Sequence, residues 1–276
     1  MSQSDEIIKL QKEVRSLSKK LERSEKNRTL LEHMWDRNSR LFQTLNTEIE
    51  QQRELIQRQH RELELERQKS ENLLLNILPH PIAQRLKEDQ SVIADHYQST
   101  TVLFTDIVDF TKMSESLTPS QLVRFLNRIF SSFDSLVEKY RLEKIKTVGD
   151  AYMVAGGLPE PRPDHVEAIA DFALEMRESL PKFHTENNQS VSMRTGIHTG
   201  PAVAGVIGTK KFTYDVWGDT VNTASRMESH GVGGEIQVSE ATYKVLKDKY
   251  ILEKRGMIEI KGKGRLTTYW LQGKNE

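Results

Sequence analysis

Thr100-Thr-Val-Leu-Phe-Thr105 runs directly into Asp106-Ile-Val-Asp-Phe-Thr111. The first six residues are β-branched or apolar and read as a buried strand, so Asp106 stands where that strand ends. Downstream, Thr118-Pro-Ser-Gln121 has the spacing of a capping box with proline at the first helical position. The helix it opens carries Leu122, Phe125, Leu126, Ile129, Phe130, Phe133, Leu136 and Val137 on one face. Residues 143–148 and 151–155 read as two strands around a Gly149-Asp150 hairpin turn. A second helix is expected over 162–182, with Ile169, Phe172, Ala173 and Met176 on one face. Residues 191–198 and 202–208 read as two more strands, joined at Thr199-Gly-Pro201. Strand, helix, hairpin, helix, strand implies an α+β sandwich with helices on one face of an antiparallel sheet.

Upstream the character changes. The first proline is Pro79 and the first glycine Gly149. Stepping alternately by three and four from Ile7 meets Leu10, Val14, Leu17, Leu21, Leu31, Trp35, Phe42, Leu45, Ile49, Ile56, Leu63, Leu73 and Ile77 without a skip. Polar residues interrupt the series at Ser24, Arg28, Asn38, Gln52, Gln59, Glu66 and Ser70. The flanks are charged, which is the pattern of a coiled coil, and β-branched a positions with Leu at d favour two parallel strands. A helix of ~70 residues would reach ~105 Å, more than a globular domain of this size accommodates.

Composition narrows the function. Across 276 residues, 40 basic side chains balance 40 acidic ones, so no global field recruits nucleic acid or an anionic membrane. Cysteine is absent, which excludes disulfides and thiolate metal sites. No apolar run approaches the ~20 residues of a membrane span, and residues 1–10 lack the apolar stretch of a secretory signal. The expectation is a cytoplasmic protein with no membrane span in this chain.

If the strands ending at Asp106 and turning at Asp150 are neighbours, both carboxylates project from one sheet edge and suit a hard ion such as Mg²⁺ or Mn²⁺. A lone turn aspartate is more often an Asx-turn or a solvated acid; the surrounding words decide between these readings. Phe104-Thr-Asp-Ile-Val-Asp-Phe-Thr111, Lys144-Ile-Lys-Thr-Val-Gly-Asp-Ala-Tyr-Met153, Met193-Arg-Thr-Gly-Ile-His-Thr-Gly200, Gly218-Asp-Thr-Val-Asn-Thr-Ala-Ser-Arg-Met-Glu-Ser229 and Ile260-Lys-Gly-Lys-Gly264 with Thr268-Tyr269 resemble, in order and spacing, the class III adenylate and guanylate cyclase catalytic domain. The resemblance covers residues 99–271 and implies a ferredoxin-like sandwich of the class III cyclase type. It implies two Mg²⁺ or Mn²⁺ ions per active site, held by Asp106, Asp150 and the main-chain carbonyl of Ile107. Arg194 and Lys261 would hold the triphosphate, Asn222 would orient the ribose, and Arg226 would meet charge on the α-phosphoryl group. One departure is Asp109, where the family usually has glycine in the turn whose amides meet the phosphates; a third carboxylate there would either repel the triphosphate or point to solvent.

Adenine presents an acceptor at N1 and a donor at N6, and guanine the reverse. Lys146, a pure donor, and ionised Asp215, a pure acceptor, match adenine. The resemblance selects Lys146 over the neighbouring Lys144, and similar guanylate cyclases typically carry Glu and Cys at the Lys146 and Asp215 positions. In the family one site draws on two subunits. Asp106, Asp150 and Arg194 would come from one chain, and Lys146, Asp215, Asn222, Arg226 and Lys261 from the other. The expected assembly is therefore a homodimer through both the coiled coil and the catalytic domains. Expected boundaries are 1–78 for the coiled coil, 79–98 for a segment similar to the transducing element that joins sensors to cyclases, and 99–276 for the catalytic domain. Regulatory input would come from an upstream sensor domain or a partner. The expected activity is adenylate cyclase acting on ATP. Two readings stand beside it: a guanylate cyclase with an unusual purine pocket, and a coiled-coil scaffold with an inactive cyclase-like domain.

Overall fold

The computed structural model describes residues 3–88, 92–184, 190–208, 210–260 and 262–275. The chain divides into two compact units, Met1–Glu71 and Asn72–Glu276. The first is formed by a single helix, α1 (Gln3–Leu75), which continues into the start of the second. Its heptad residues are exposed along the chain, among them Ile7, Val14, Leu21, Trp35, Phe42, Ile56 and Leu63. An apolar seam of this length, uncovered in one chain, is the surface that a coiled-coil partner would bury. Among the described residues no helix is long and apolar enough to cross a membrane.

The second unit follows in the order α2 (His80–Glu88), β1 (Ala94–Ile107), α3 (Phe110–Glu115), α4 (Pro119–Tyr140), β2 (Glu143–Val148), β3 (Ala151–Gly156), α5 (His165–Ser179), β4 (Met193–Ile207), β5 (Thr213–Trp217), α6 (Asp219–Ser229), β6 (Ile236–Ser239), α7 (Glu240–Leu246), β7 (Tyr250–Ile260) and β8 (Gly264–Lys274). The sheet order is β2-β3-β1-β4-β6-β8-β7, with β5 pairing to β4. The Thr118 capping box forms as the sequence implies: Thr118 N–H donates to Gln121 Oε1 at 2.8 Å, and Gln121 N–H donates back to Thr118 Oγ1 at 3.4 Å. The face of α4 read from the sequence is the buried one, with Phe125, Ile129, Phe133 and Val137 packed in one core with α5 and with Leu103, Val154 and Ile197 of the sheet.

The structure corrects the sequence reading of several elements. The strand at 100–105 is the middle of a 14-residue strand. The second helix starts at His165, since Pro161 and Pro163 lie just before it, and it ends in a 3₁₀ turn over Leu180–Lys182. Residues 193–207 form one continuous strand, with no turn at Thr199-Gly-Pro201. Pro201 is accommodated because the register with β1 shifts between Tyr97 and Thr100, so the proline faces a bulge that asks it for no N–H.

The sheet is also mixed, and its second face is covered. β4 and β6 run parallel because α6 crosses over between them. On that face Val102, Met153, Ala155, Ala202, Ala204 and Ala224 build a second core. Leu78, Ile82 and Ala83, on either side of Pro79, are buried in it.

Candidate active site

Gly149 adopts φ +64 in the β2–β3 turn, a conformation that favours glycine, and Asp150 follows it into β3. β3 pairs with β1 through Thr105 and Tyr152, so the turn lies beside the end of β1 where Asp106 sits. Burial first, then hydrogen bonding to and repulsion from Asp106, pushes Asp150 up to about 6. Opposite Asp106 on β4 stands Arg194. Its Nη2 donates to Asp106 Oδ2 at 3.1 Å and its Nε to Glu228 Oε1 at 3.0 Å. Burial raises Glu228 above the usual carboxylate range, against the opposing pull of Arg194. Ile107, next to Asp106, is buried at the strand end, and the following Val108 N–H is bonded to Ser192 O.

A second cluster lies on β2 and β5. Lys146 Nζ donates to Asp215 Oδ2 at 2.5 Å, and the other oxygen of Asp215 accepts the Val216 N–H at 2.8 Å. Asp215 is buried and Lys146 half-buried, so both are held in place. Lys144, two residues earlier, is engaged elsewhere: its Nζ lies 2.7 Å from Asp134 of α4. Geometry thus distinguishes the two lysines that sequence pattern alone could not.

Asn222 and Arg226 are both exposed on α6, one turn apart. Lys261 lies outside the described residues. The structure therefore brings together Asp106, Asp150 and Arg194, and separately Lys146 and Asp215, while Asn222 and Arg226 share one outward face.

Residues 92–273 match the model of the adenylate and guanylate cyclase catalytic domain. The chain belongs to this family. An adenylate cyclase of Mycobacterium tuberculosis is 51% identical over 213 residues, covering 77% of this chain and 48% of the relative. The human guanylate cyclase soluble subunit beta-2 is 42% identical over 229 residues, covering 82% of this chain and 37% of that protein. The chain thus spans about half the length, or less, of these curated relatives. The solved guanylate cyclase domain of RhGC from Catenaria anguillulae, in complex with GTP, superposes with a TM-score of 0.64 at 37% identity, covering 66% of this chain and all of that one. The resemblance drawn from the sequence words is therefore a family relationship.

Within this cyclase domain Asp109 takes φ +57, the left-handed conformation that explains a usual glycine and that aspartate tolerates. Its side chain is two-thirds exposed and accepts from Lys112 Nζ at 3.2 Å, so the third carboxylate points to solvent. Sequence reasoning assigned no role to Glu228, although the residue lay inside a quoted motif; only the fold shows it holding Arg194.

The same reasoning missed why the Met193–Gly200 motif carries two glycines. A Cβ at Gly196 would come 1.9 Å from Glu228 N and 2.4 Å from Met227 C, and one at Gly200 would meet Thr220 Oγ1 at 2.6 Å. α6 rests directly on the backbone of β4, and Thr220 locks it there by donating to Pro201 O at 2.6 Å. Gly196→Ala is expected to lower stability by about 3 kcal/mol, since backbone rather than a pliable side chain must yield. Thermal and denaturant melts check this, and parental values would mean that α6 is not seated so closely.

Proposed function

We propose that the chain is an adenylate cyclase that converts ATP to 3′,5′-cyclic AMP and pyrophosphate, at sites shared between the two subunits of a homodimer. The observation that carries the choice of ATP is the Lys146–Asp215 pair: a donor and an acceptor, side by side and rigidly held, complementary to the N1 and N6 edge of adenine. Guanine would set an acceptor against Asp215 and a donor against Lys146. Each buried mismatch costs ~1–3 kcal/mol.

The donor set of the first cluster fits hard divalent cations. Asp106, Asp150 and the Ile107 carbonyl all offer oxygen, and bound cation charge would offset the burial and the Asp106 repulsion that together raise Asp150. Among the described residues no third Asp, Glu, His or Cys completes a cage, which suits Mg²⁺ or Mn²⁺ that keep waters and substrate phosphates in their shell. Two such ions, when bound, lower the pKa of the ribose 3′-hydroxyl and neutralise the triphosphate.

The chain's own residues then position the reactants. The 3′-oxygen attacks the α-phosphorus in line and pyrophosphate departs, a reaction that asks for alignment and charge neutralisation more than covalent help. Arg194 and Lys261 hold the triphosphate. Asn222 orients the ribose, and the permanently charged, planar Arg226 stabilises the crowded α-phosphoryl group. Dimerisation is supported by the exposed seam of α1 and by Val203, Ile207, Phe212 and Trp217, which are exposed along the β4–β5 ribbon.

The test is cyclic AMP and cyclic GMP formation by purified protein with Mn²⁺ and each nucleotide. Production of cyclic GMP alone would favour the guanylate cyclase reading, and production of neither the scaffold. Lys146→Glu combined with Asp215→Cys is expected to lower the preference for ATP over GTP by at least ~10-fold in kcat/KM, about 1.4 kcal/mol. An unchanged ratio would move base recognition elsewhere in the fold.

A further inference from the structure

Two elements proposed to hold substrate, the β7–β8 turn with Lys261 and helix α6 with Asn222 and Arg226, are far apart in sequence. One side chain joins them. Lys263, in that turn, donates through Nζ to the carboxylate of Asp219 and to Thr223 Oγ1. Asp219 and Thr223 are one helical turn apart and bracket Asn222 in sequence, so both bonds land on the first turns of α6. The Lys263 side chain is only 23% exposed, unlike that of a solvated surface lysine, while Asp219 is 74% exposed.

The floor beneath this contact is fixed. Thr223 is buried, and its hydroxyl donates in turn to Asp219 O at 2.8 Å. His198 of β4 is anchored by Ser239 Oγ at 2.6 Å from its Nδ1, with its ring beside Gly200. Burial first, and then the charge of Lys263, holds His198 down at about 4, so the imidazole is a neutral neighbour and does not compete for Asp219. The turn itself is closed by Lys263 N–H bonding to Ile260 O at 2.9 Å, with Gly262 and Gly264 at positive φ on either side.

We propose that Lys263 is a positioning residue for cyclisation: its ammonium pins the turn bearing Lys261 to the α6 face bearing Asn222 and Arg226. This rests on the reading of those three residues as substrate contacts. The triphosphate and the ribose of one nucleotide are separated by a fixed length of covalent structure. Groups that grip both ends act together only if the elements presenting them keep a constant separation. Lys263 supplies that constancy without touching the substrate.

The experiment compares Lys263→Met, which keeps the aliphatic stem and removes the charge, with Asp219→Ala and the double variant, reading kcat and KM for ATP separately with saturating Mn²⁺. Each single variant is expected to lose roughly ten-fold in kcat, the scale of one hydrogen bond to a charged group. The double variant should be no worse than Lys263→Met alone, because both changes break the same contact. Asp219→Ala keeps the assay decisive if Lys263→Met proves unstable, since Asp219 is largely exposed. A parental kcat in Asp219→Ala beside a loss in Lys263→Met would overturn the proposal, by showing that the ammonium does not act through Asp219. Parental kcat in both, with Arg226→Ala inactive, would also overturn it while sparing the site. An active Arg226→Ala would instead remove the reading on which the proposal rests.

Discussion

Asp106→Asn is expected to abolish turnover, by ~10³-fold or more, while leaving the fold and the dimer intact. The size follows from the chemistry. Metal charge stabilisation at a phosphoryl centre is worth several kcal/mol, and each 1.36 kcal/mol is tenfold in rate. The substitution is isosteric and keeps one oxygen to accept from Arg194, which now stands 3.1 Å from the carboxylate. It also removes a charge beside Asp150, whose carboxyl is raised first by burial and only then by Asp106. In metal-free protein the variant should therefore melt near the parental temperature, so that activity falls while stability holds. A purely structural aspartate, whose ion pair with Arg194 supports the fold, predicts the reverse: lower stability with modest loss of rate. Rates in Mg²⁺ and Mn²⁺ and melting in the absence of metal separate the two. Near-parental activity with Mg²⁺ would sink the metal assignment.

Much of this was legible because the informative residues are backbone devices or strand ends. The Thr118 capping box, the Gly149-Asp150 turn and the apolar face of α4 are local, and the structure has each where the pattern places it. What the sequence hid is non-local. Thr199-Gly-Pro201 has the composition of a turn, yet β4 runs straight through it. A bulge on the neighbouring strand accepts the proline, and α6 needs the glycine's missing side chain. The parallel pairing of β4 with β6 has no local signal at all, since it follows from α6 crossing the second face. Glu228 and Lys263 escaped for the same reason. Each is an ordinary charged residue in a motif-rich neighbourhood, and only their partners on other elements, Arg194 for one and Asp219 for the other, disclose what they do.

The proposed sharing of sites between subunits gives the second large effect. Within one chain the cationic partner of Asp106 is Arg194, and the α6 face carrying Asn222 and Arg226 is exposed. On the proposed reading this outward face serves a site completed by another copy, and the two sets of residues meet across a two-fold axis. Asp106→Asn and Arg226→Ala chains are each expected to be inactive alone, because every site in either homodimer lacks one group. In a heterodimer the losses are redistributed. One site combines the acids of the Arg226→Ala chain with the arginine of the Asp106→Asn chain and is intact, while the other carries both lesions. Equal mixing followed by co-folding makes half of all dimers heterodimeric, each with one working site of two, so about a quarter of the parental rate should return in the mixture and about half in the purified heterodimer. Sites contained within single chains predict no recovery at any mixing ratio, since each chain keeps its own lesion. Differently tagged chains, purified through both tags and assayed for cyclic AMP, decide between these outcomes, and silence from verified heterodimers would place all the catalytic groups in one subunit.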